Sequence, residues 1–107
     1  MTARRVSEAE KQRQVPGLIF VDGPAGRRAR IDGSGLDVWE VISAYKRMGC
    51  DRTRLEAAFD WMTAEQMDAA LRYYALFPDE IDRRLALEAS MTPEKIRRLL
   101  KRAAEDR

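Results

Sequence analysis

The fold of this chain is decided by residues 37–74, which read DVWEVISAYKRMGCDRTRLEAAFDWMTAEQMDAALRYY. The pattern predicts three helices in this stretch. The first begins after Asp37, which with Glu40 has the form of a capping box, and it ends at the glycine in position 49. Its apolar residues recur at helical spacing and are expected to face the core: Val38, Val41, Ile42 and Tyr45.

Two further helices complete the stretch. Asp51 is expected to cap a short helix over residues 52–59, with Leu55, Ala58 and Phe59 facing inward. After a turn at residues 60–62, Thr63 with Gln66 opens the third helix. The residues predicted to face inward from this helix are Met67, Ala70, Leu71 and Tyr74. A short second helix and a tight turn before the third are the proportions of a trihelical helix-turn-helix core.

The residues before this stretch predict a β-hairpin. Leu18–Val21 and Arg27–Ile31 are typical of strands, and turn residues follow at positions 22–26 and 32–35. Leu18–Val21 is apolar on both faces, and a two-stranded hairpin is marginally stable alone. We therefore expect the same hairpin of a second copy to cover it, which gives a homodimer interface formed by Leu18, Ile19, Phe20 and Val21.

The two ends of the chain carry the excess of basic residues. Residues 1–14 are expected to form a mobile charged arm, with a short helix over residues 8–14, capped by Ser7 and Glu10, as the alternative.

Phe77-Pro78 interrupts the helical region. A fourth helix is then predicted over about residues 79–89, with inward positions at Ile81, Leu85 and either Leu87 or Ala89.

A last helix opens at Thr92-Pro93-Glu94 and is strongly amphipathic. Its apolar stripe is Ile96, Leu99, Leu100 and Ala103, and its basic face is Arg97, Arg98, Lys101 and Arg102. This helix either folds back on its own core or lies in the groove of a partner protein. The predicted fold is thus mainly α: an arm over residues 1–14, a hairpin and helix-turn-helix core over residues 15–90, and a basic amphipathic helix over residues 91–107.

Composition excludes several classes of function. The 107 residues suffice for one domain, and 20 Lys and Arg against 18 Asp and Glu leave a net charge of +2 with no histidine. The lack of histidine removes histidine-based triads and metal sites. The single cysteine, Cys50, suits a reducing cytosol, and neither a signal peptide nor an apolar run long enough to span a bilayer is evident. We expect a cytoplasmic protein that is not an enzyme and holds no cofactor or metal.

The distribution of charge argues against DNA reading by the third helix. Residues 61–90 contain three basic and six acidic residues. The exposed side of the third helix is predicted to carry Glu65, Gln66, Asp68, Ala69 and Arg72, and its two carboxylates would repel phosphates. Better-placed cations lie on the hairpin and around the turn after the first helix. The candidate DNA-binding residues are Arg27, Arg28, Arg30, Arg52, Arg54 and Arg72.

Several segments in order resemble the antitoxin-like domain-of-unknown-function family 433. They are Arg30–Gly33, Val38–Ile42, Leu55–Phe59, Thr63–Gln66, Ala69–Tyr74 and Pro78–Asp82, and the resemblance covers roughly residues 16–85. The chain departs from the family pattern at Gly33-Ser34-Gly35, where the family usually has Gly-Thr-Arg. It also lacks the proline that usually precedes the third helix, since residues 60–62 are Asp-Trp-Met.

The resemblance implies a homodimeric helix-turn-helix antitoxin of the bacterial toxin–antitoxin type, paired with a PIN-like ribonuclease toxin and repressing its own operon. The partner-binding candidates are Ile96, Arg97, Arg98, Leu99, Leu100, Lys101 and Arg102, since an inserted arginine would pair with the carboxylates of a metal-dependent ribonuclease site. Two alternatives stay open. One is a DNA-binding transcription regulator without a toxin, and the other is a structural adaptor in a larger protein assembly.

Overall fold

The computed structural model describes residues 6–23, 26–91 and 93–105, including every side chain in these ranges except those of residues 96, 99 and 103–105. Within this part the elements follow in the order α1 (Glu8–Gln14), β1 (Leu18–Gly23), β2 (Gly26–Ile31), α2 (Val38–Arg47), α3 (Arg52–Ala58), α4 (Ala64–Leu76), α5 (Pro78–Ala89) and α6 (Pro93–Glu105). The predicted fold class, mainly helical with an N-terminal hairpin, is confirmed.

The hairpin is antiparallel, with Leu18 opposite Ile31 and Gly23 opposite Gly26. Because side chains alternate along a strand, one face carries Leu18, Phe20, Ala29 and Ile31 toward the helices. The turn after β2 is held by Ser34, whose hydroxyl donates to the carbonyl of Ile31 at 2.7 Å. Gly33 and Gly35 adopt φ of 77° and 72° in this turn, a region where a β-carbon is strained.

The three predicted caps of the helix-turn-helix region are confirmed. Glu40 Oε1 accepts from the Asp37 backbone N–H at 3.0 Å, and Asp51 Oδ1 accepts from the Thr53 N–H at 2.9 Å. Thr63 and Gln66 cap each other reciprocally, at 3.1 and 2.9 Å. Each cap satisfies backbone donors that a helix start leaves unpaired, so the boundaries of α2, α3 and α4 follow from local sequence.

The core lies between the inner face of the hairpin and helices α2, α4 and α5. Its buried apolar residues are Val15, Leu18, Ala29, Ile31, Val38, Val41, Ile42, Ala44, Leu55, Met67, Ala69, Ala70, Tyr73 and Ile81. Four of the residues predicted to face inward from α2 and α3 are fully enclosed: Val38, Val41, Ile42 and Leu55.

The predicted face of α4 is partly wrong. Tyr73, not Tyr74, is the fully buried tyrosine, and Ala69, which we expected to be exposed, is 3% exposed. The reason is that α4 has neighbours on more than one side. It packs against α2, α5 and β2, so its buried surface is wider than a single stripe. Tyr74 lies at the edge of this surface, where its hydroxyl donates to Asp82 Oδ1 at 2.8 Å.

Three smaller predictions about inward positions are also wrong. Ala58 is exposed, because α3 is only seven residues long and buries Leu55 alone. Near the end of α5, Leu87 is 51% exposed and Ala89 is exposed as well. The contact of α5 with the core ends earlier, with Ile81 buried and Leu85 half-buried.

The N-terminal residues form a docked helix rather than a mobile arm over residues 8–14. Ser7 Oγ accepts from the Glu10 N–H at 3.1 Å, which is the cap that the alternative prediction required. The helix buries none of its own residues, so packing alone does not explain its position. Polar contacts to other elements hold it in place. Arg72 of α4, for example, donates to the carbonyl of Gln14 at 2.6 Å.

We expect the free energy of unfolding to separate two leucines that differ in burial. Leu55 is fully buried and Leu100 is 65% exposed. Leu55→Ala should cost about 2–5 kcal/mol, because it leaves a cavity in the core, whereas Leu100→Ala should change stability by less than about 0.5 kcal/mol. Urea unfolding measures both variants. Equal losses would contradict the described core.

Candidate functional site

Helix α6 presents its described side chains to solvent. Each of its described side chains is classed as exposed, and Leu100 of the predicted apolar stripe is 65% exposed. The four predicted cations are all in solvent: Arg97, Arg98, Lys101 and Arg102. Arg98 donates to Glu94 one turn earlier at 3.1 Å. The side chains of Ile96 and Leu99, the other two predicted anchors, lie outside the described residues.

The three candidate arginines of the hairpin are engaged within the chain. Arg27 binds Glu8 at 2.9 Å and Asp22 at 3.2 Å. The hydrogen bond from Arg27 lowers the pKa of the Glu8 carboxyl below its usual value. Arg28 and Arg30 both bind Asp37, through their Nε atoms at 2.6 and 3.0 Å. The hairpin cations therefore serve first to attach the hairpin to its neighbours.

Asp37 is a shared anchor that the sequence analysis missed, because it treated this residue only as a helix cap. Asp37 is 4% exposed, and its two carboxylate oxygens accept hydrogen bonds from different donors. Oδ1 accepts from Arg30, while Oδ2 accepts from Arg28 and from the indole N–H of Trp39 at 3.2 Å. The ring of Trp39 in turn lies 4.9 Å from the guanidinium carbon of Arg84. This cluster joins the hairpin to α2 and α5.

The remaining DNA-binding candidates divide into two kinds. Arg52 bridges Glu56 and Asp68 at 2.8 and 2.6 Å, and Arg72 is bound to the Gln14 carbonyl. Arg54 is exposed, and its guanidinium makes no ion pair or hydrogen bond within the described ranges. The six candidates do not form one surface free of carboxylates: four of them are ion-paired within the described residues, while Arg72 is held by a carbonyl and Arg54 is exposed.

The exposed face of α4 is acidic, as predicted. Glu65 and Asp68 are exposed, and Gln66 is turned back onto Thr63 and onto the carbonyl of Asp32 at 3.1 Å. A side chain held in this way cannot read a base edge without breaking two hydrogen bonds. This surface therefore resembles a solvated helix face more than a DNA-recognition face.

The four candidate dimer residues lie on opposite faces of the hairpin. Leu18 is buried in the core of its own chain, and Phe20 packs edge-to-face on Tyr73 with ring centroids 6.5 Å apart. The cover that we expected from a second copy is thus supplied for Leu18 by the core of its own chain and for Phe20 by Tyr73 of α4. Ile19 and Val21 lie on the other face, half-exposed and opposite Arg30 and Arg28.

A second missed cluster joins α1 to α4 and α5. Lys11 Nζ donates to Glu80 Oε1 at 2.7 Å and to the hydroxyl of Tyr73 at 3.2 Å. The Tyr73 hydroxyl donates to Glu80 Oε2 at 2.5 Å, which closes a three-membered network. Burial, and then the hydrogen bond to Glu80, raise the pKa of Tyr73 above its ordinary value. No local pattern could find this cluster, because Lys11 and Glu80 are 69 positions apart.

Other chemistry is sparse in residues 6–23, 26–91 and 93–105. In these ranges no group of three or more histidine, cysteine or acidic side chains is arranged to hold a metal ion, and Cys50 is an exposed free thiol with φ of 59°. Across the same residues, no helix combines the length and apolar character needed to cross a membrane.

Comparison with known proteins gives no relative. No protein-family model, curated protein or solved structure matches this chain. The likeness to antitoxin-like family 433 therefore stays an interpretation of the residues quoted above.

We expect the Asp37 anchor to contribute measurably to stability. Asp37→Asn removes the charge that Arg28 and Arg30 share, and should cost about 2–3 kcal/mol of unfolding free energy, the scale of hydrogen bonds to charged groups. Asp22→Asn is the matched control. Its side chain is 83% exposed, and it also pairs with an arginine, so its loss should stay below about 1 kcal/mol. Chemical denaturation compares the two, and equal effects would argue against an anchor.

We expect stability to fall in alkali because of Tyr73. In the unfolded chain a tyrosine ionises near pH ~10, whereas the folded chain retains the Tyr73 proton to higher pH. Tyr73 therefore stabilises the fold fully at pH values below the pKa of an unfolded tyrosine. This stabilisation is lost as the pH rises through the higher pKa of Tyr73 in the folded chain. Urea titrations across this range should show a shallower decline for Tyr73→Phe than for the unchanged chain. An equal decline in the two chains would contradict a stabilising role for the Tyr73 proton.

Proposed function

We propose that this protein is an antitoxin-type binding protein, whose helix α6 holds an acidic protein partner, a PIN-like ribonuclease, while the hairpin and helices α1–α5 form the scaffold. The observation that carries the proposal is the exposure of α6. Four cations and Leu100 stand in solvent on one helix, in a chain whose net charge is only +2. The single free cysteine accords with a cytoplasmic site of action.

The chemistry of α6 suits a protein groove rather than a nucleic acid. A helix that alternates cations with apolar anchors gains affinity from buried leucine and from charge complementarity together. A ribonuclease that uses a metal presents clustered carboxylates at its active site, and arginine binds carboxylates through paired N–H donors. Binding of α6 there would neutralise the enzyme by occupying the site of its metal and substrate.

The alternative of a DNA-binding regulator has less support. Arg27, Arg28, Arg30 and Arg52 each hold a carboxylate of their own chain, so binding phosphates would first break an ion pair. The acidic face of α4 adds repulsion. Repression of an operon would therefore depend on cations outside the helix-turn-helix face, such as those of α6. The third possibility, a structural adaptor, shares the α6 surface with the main proposal but needs no enzyme partner.

A charge-reversal experiment tests the proposal. The test variant changes Arg97, Arg98, Lys101 and Arg102 to glutamate. The matched control reverses four exposed cations elsewhere in the chain: Arg13, Arg47, Arg54 and Arg83. Both variants undergo the same change in net charge, so a general electrostatic effect would appear in both. The test variant leaves helices α1–α5 unchanged, and the control variant leaves α6 unchanged.

We expect the unchanged chain and the control variant to form a stoichiometric complex with a small ribonuclease encoded beside the gene and to suppress its RNA cleavage. The α6 variant should lose binding and suppression by at least tenfold, which corresponds to about 1.4 kcal/mol. Binding and inhibition by the α6 variant equal to those of the control would overturn the proposal. Circular dichroism establishes that both variants remain folded.

A further inference from the structure

The ammonium group of Lys11 lies in an aromatic cage. Its Nζ is 4.8 Å from the ring centroid of Phe77, 5.6 Å from that of Tyr73 and 5.9 Å from that of Phe20, all within the range of cation–π attraction. The three rings are continuous, since Tyr73 contacts both others. Glu80 completes the site as the counter-ion. Below, "the cage" denotes Phe20, Tyr73, Phe77 and Glu80.

The cage is built by the body of the protein and does not depend on α1. Its residues come from β1, α4, the junction before α5, and α5 itself. Tyr73 is fully buried and belongs to the hydrophobic core, and the other two rings pack against that core. The hydroxyl of Tyr73 holds Glu80 through its own hydrogen bond, so the carboxylate is positioned by a core residue. Rings and carboxylate would therefore persist if α1 moved away.

The attachment of α1, by contrast, is slight. The helix has seven residues and buries none of them, and an isolated helix of that length is unstable in water. Besides Lys11, the links of α1 to other elements include the solvent-exposed pair of Glu8 with Arg27, a hydrogen bond from Gln12 to the Leu18 carbonyl, and the bond from Arg72 to the Gln14 carbonyl. The Lys11 side chain, 15% exposed, is the most enclosed of these contacts.

The site is also accessible from two sides. A concavity of about 490 Å³ opens between Val6, Lys11 and the Leu76–Glu80 segment, and another of about 660 Å³ lies between Lys11, Phe20 and the start of β2. Both are lined by Lys11 and Glu80, so they meet at the ion pair. A segment of polypeptide approaching along either one would reach the cage.

We propose that the cage is a binding site for a lysine side chain of a protein partner, and that Lys11 occupies it intramolecularly in the free chain. The partner's ammonium group would replace Lys11 on Glu80 and on the three rings, and α1 would be released. Release would also separate Glu8 from Arg27, which would keep only its pair with Asp22 of the hairpin. The proposal does not rest on the function proposed for α6, because the cage residues all lie in the first 80 positions.

The test opens the site by mutation and fills it with a small probe. Lys11→Ala removes the internal occupant from the full chain. The probe is Nα-acetyl-lysinamide, which carries the lysine side chain on a peptide backbone. Its Nε-acetylated form is the matched probe without charge. The control variant is Lys46→Ala, since Lys46 also sits over one ring, 5.0 Å from Tyr74, and pairs with Asp82, but at an exposed position.

We expect the charged probe to stabilise Lys11→Ala against urea. Above its dissociation constant, each tenfold rise in probe should lower the unfolding equilibrium constant about tenfold. The unchanged chain, Lys46→Ala and the double variant Lys11→Ala/Phe77→Leu should not respond in this way, nor should Lys11→Ala respond to the acetylated probe. Lack of stabilisation of Lys11→Ala, or an equal response to both probes, would overturn the proposal.

A second measurement covers the case in which Lys11→Ala does not fold by itself. The variant is then refolded from urea in the charged probe, in the acetylated probe and in sodium chloride at equal ionic strength. Recovery of the native circular dichroism spectrum in the charged probe alone supports the site. Equal recovery in all three solutions, or recovery in none, overturns it.

Discussion

The buried carboxylate of Asp37 is the contact on which the arrangement of the two halves of the fold depends. A two-stranded hairpin is not stable alone, and this one must be attached to the helices. An enclosed carboxylate must in turn be supplied with donors, or its desolvation would be costly. Both needs are met at one residue, because Asp37 starts α2 and accepts from Arg28, Arg30 and Trp39. The strands and the helical core are thereby positioned together.

This arrangement also decides what the hairpin arginines are free to do. In the sequence, Arg27, Arg28 and Arg30 form a basic cluster next to turn residues, a pattern that suits phosphate binding. In the structure they are the cationic halves of ion pairs with Glu8, Asp22 and Asp37. Charge can be counted from a sequence, but its availability depends on partners brought close by folding. The sequence analysis therefore located the cations correctly and could not assign their partners.

Local rules predicted most of the secondary structure for a physical reason. Caps such as Thr63 with Gln66 are complete within four residues, and a turn glycine acts through its own backbone conformation. Helix starts and turns of this kind can therefore be predicted without tertiary information. The errors occur where an element has several neighbours. The inward face predicted for α4 included Tyr74, but the contacts of α4 with α2, α5 and β2 bury Tyr73 instead. The network of Lys11, Tyr73 and Glu80 was missed because its members are distant in sequence.

The two terminal helices show what docking requires. Helix α1 lacks a buried residue, yet it is held by polar contacts, among them Lys11, which meets three rings and a carboxylate positioned by the core. Helix α6 has the more strongly amphipathic sequence, yet its described side chains are exposed, including Leu100. Attachment of a helix to a core therefore depends on a receptor of matching chemistry as well as on amphipathic character. For a helix of cations and leucines, that receptor is an acidic groove with an apolar floor.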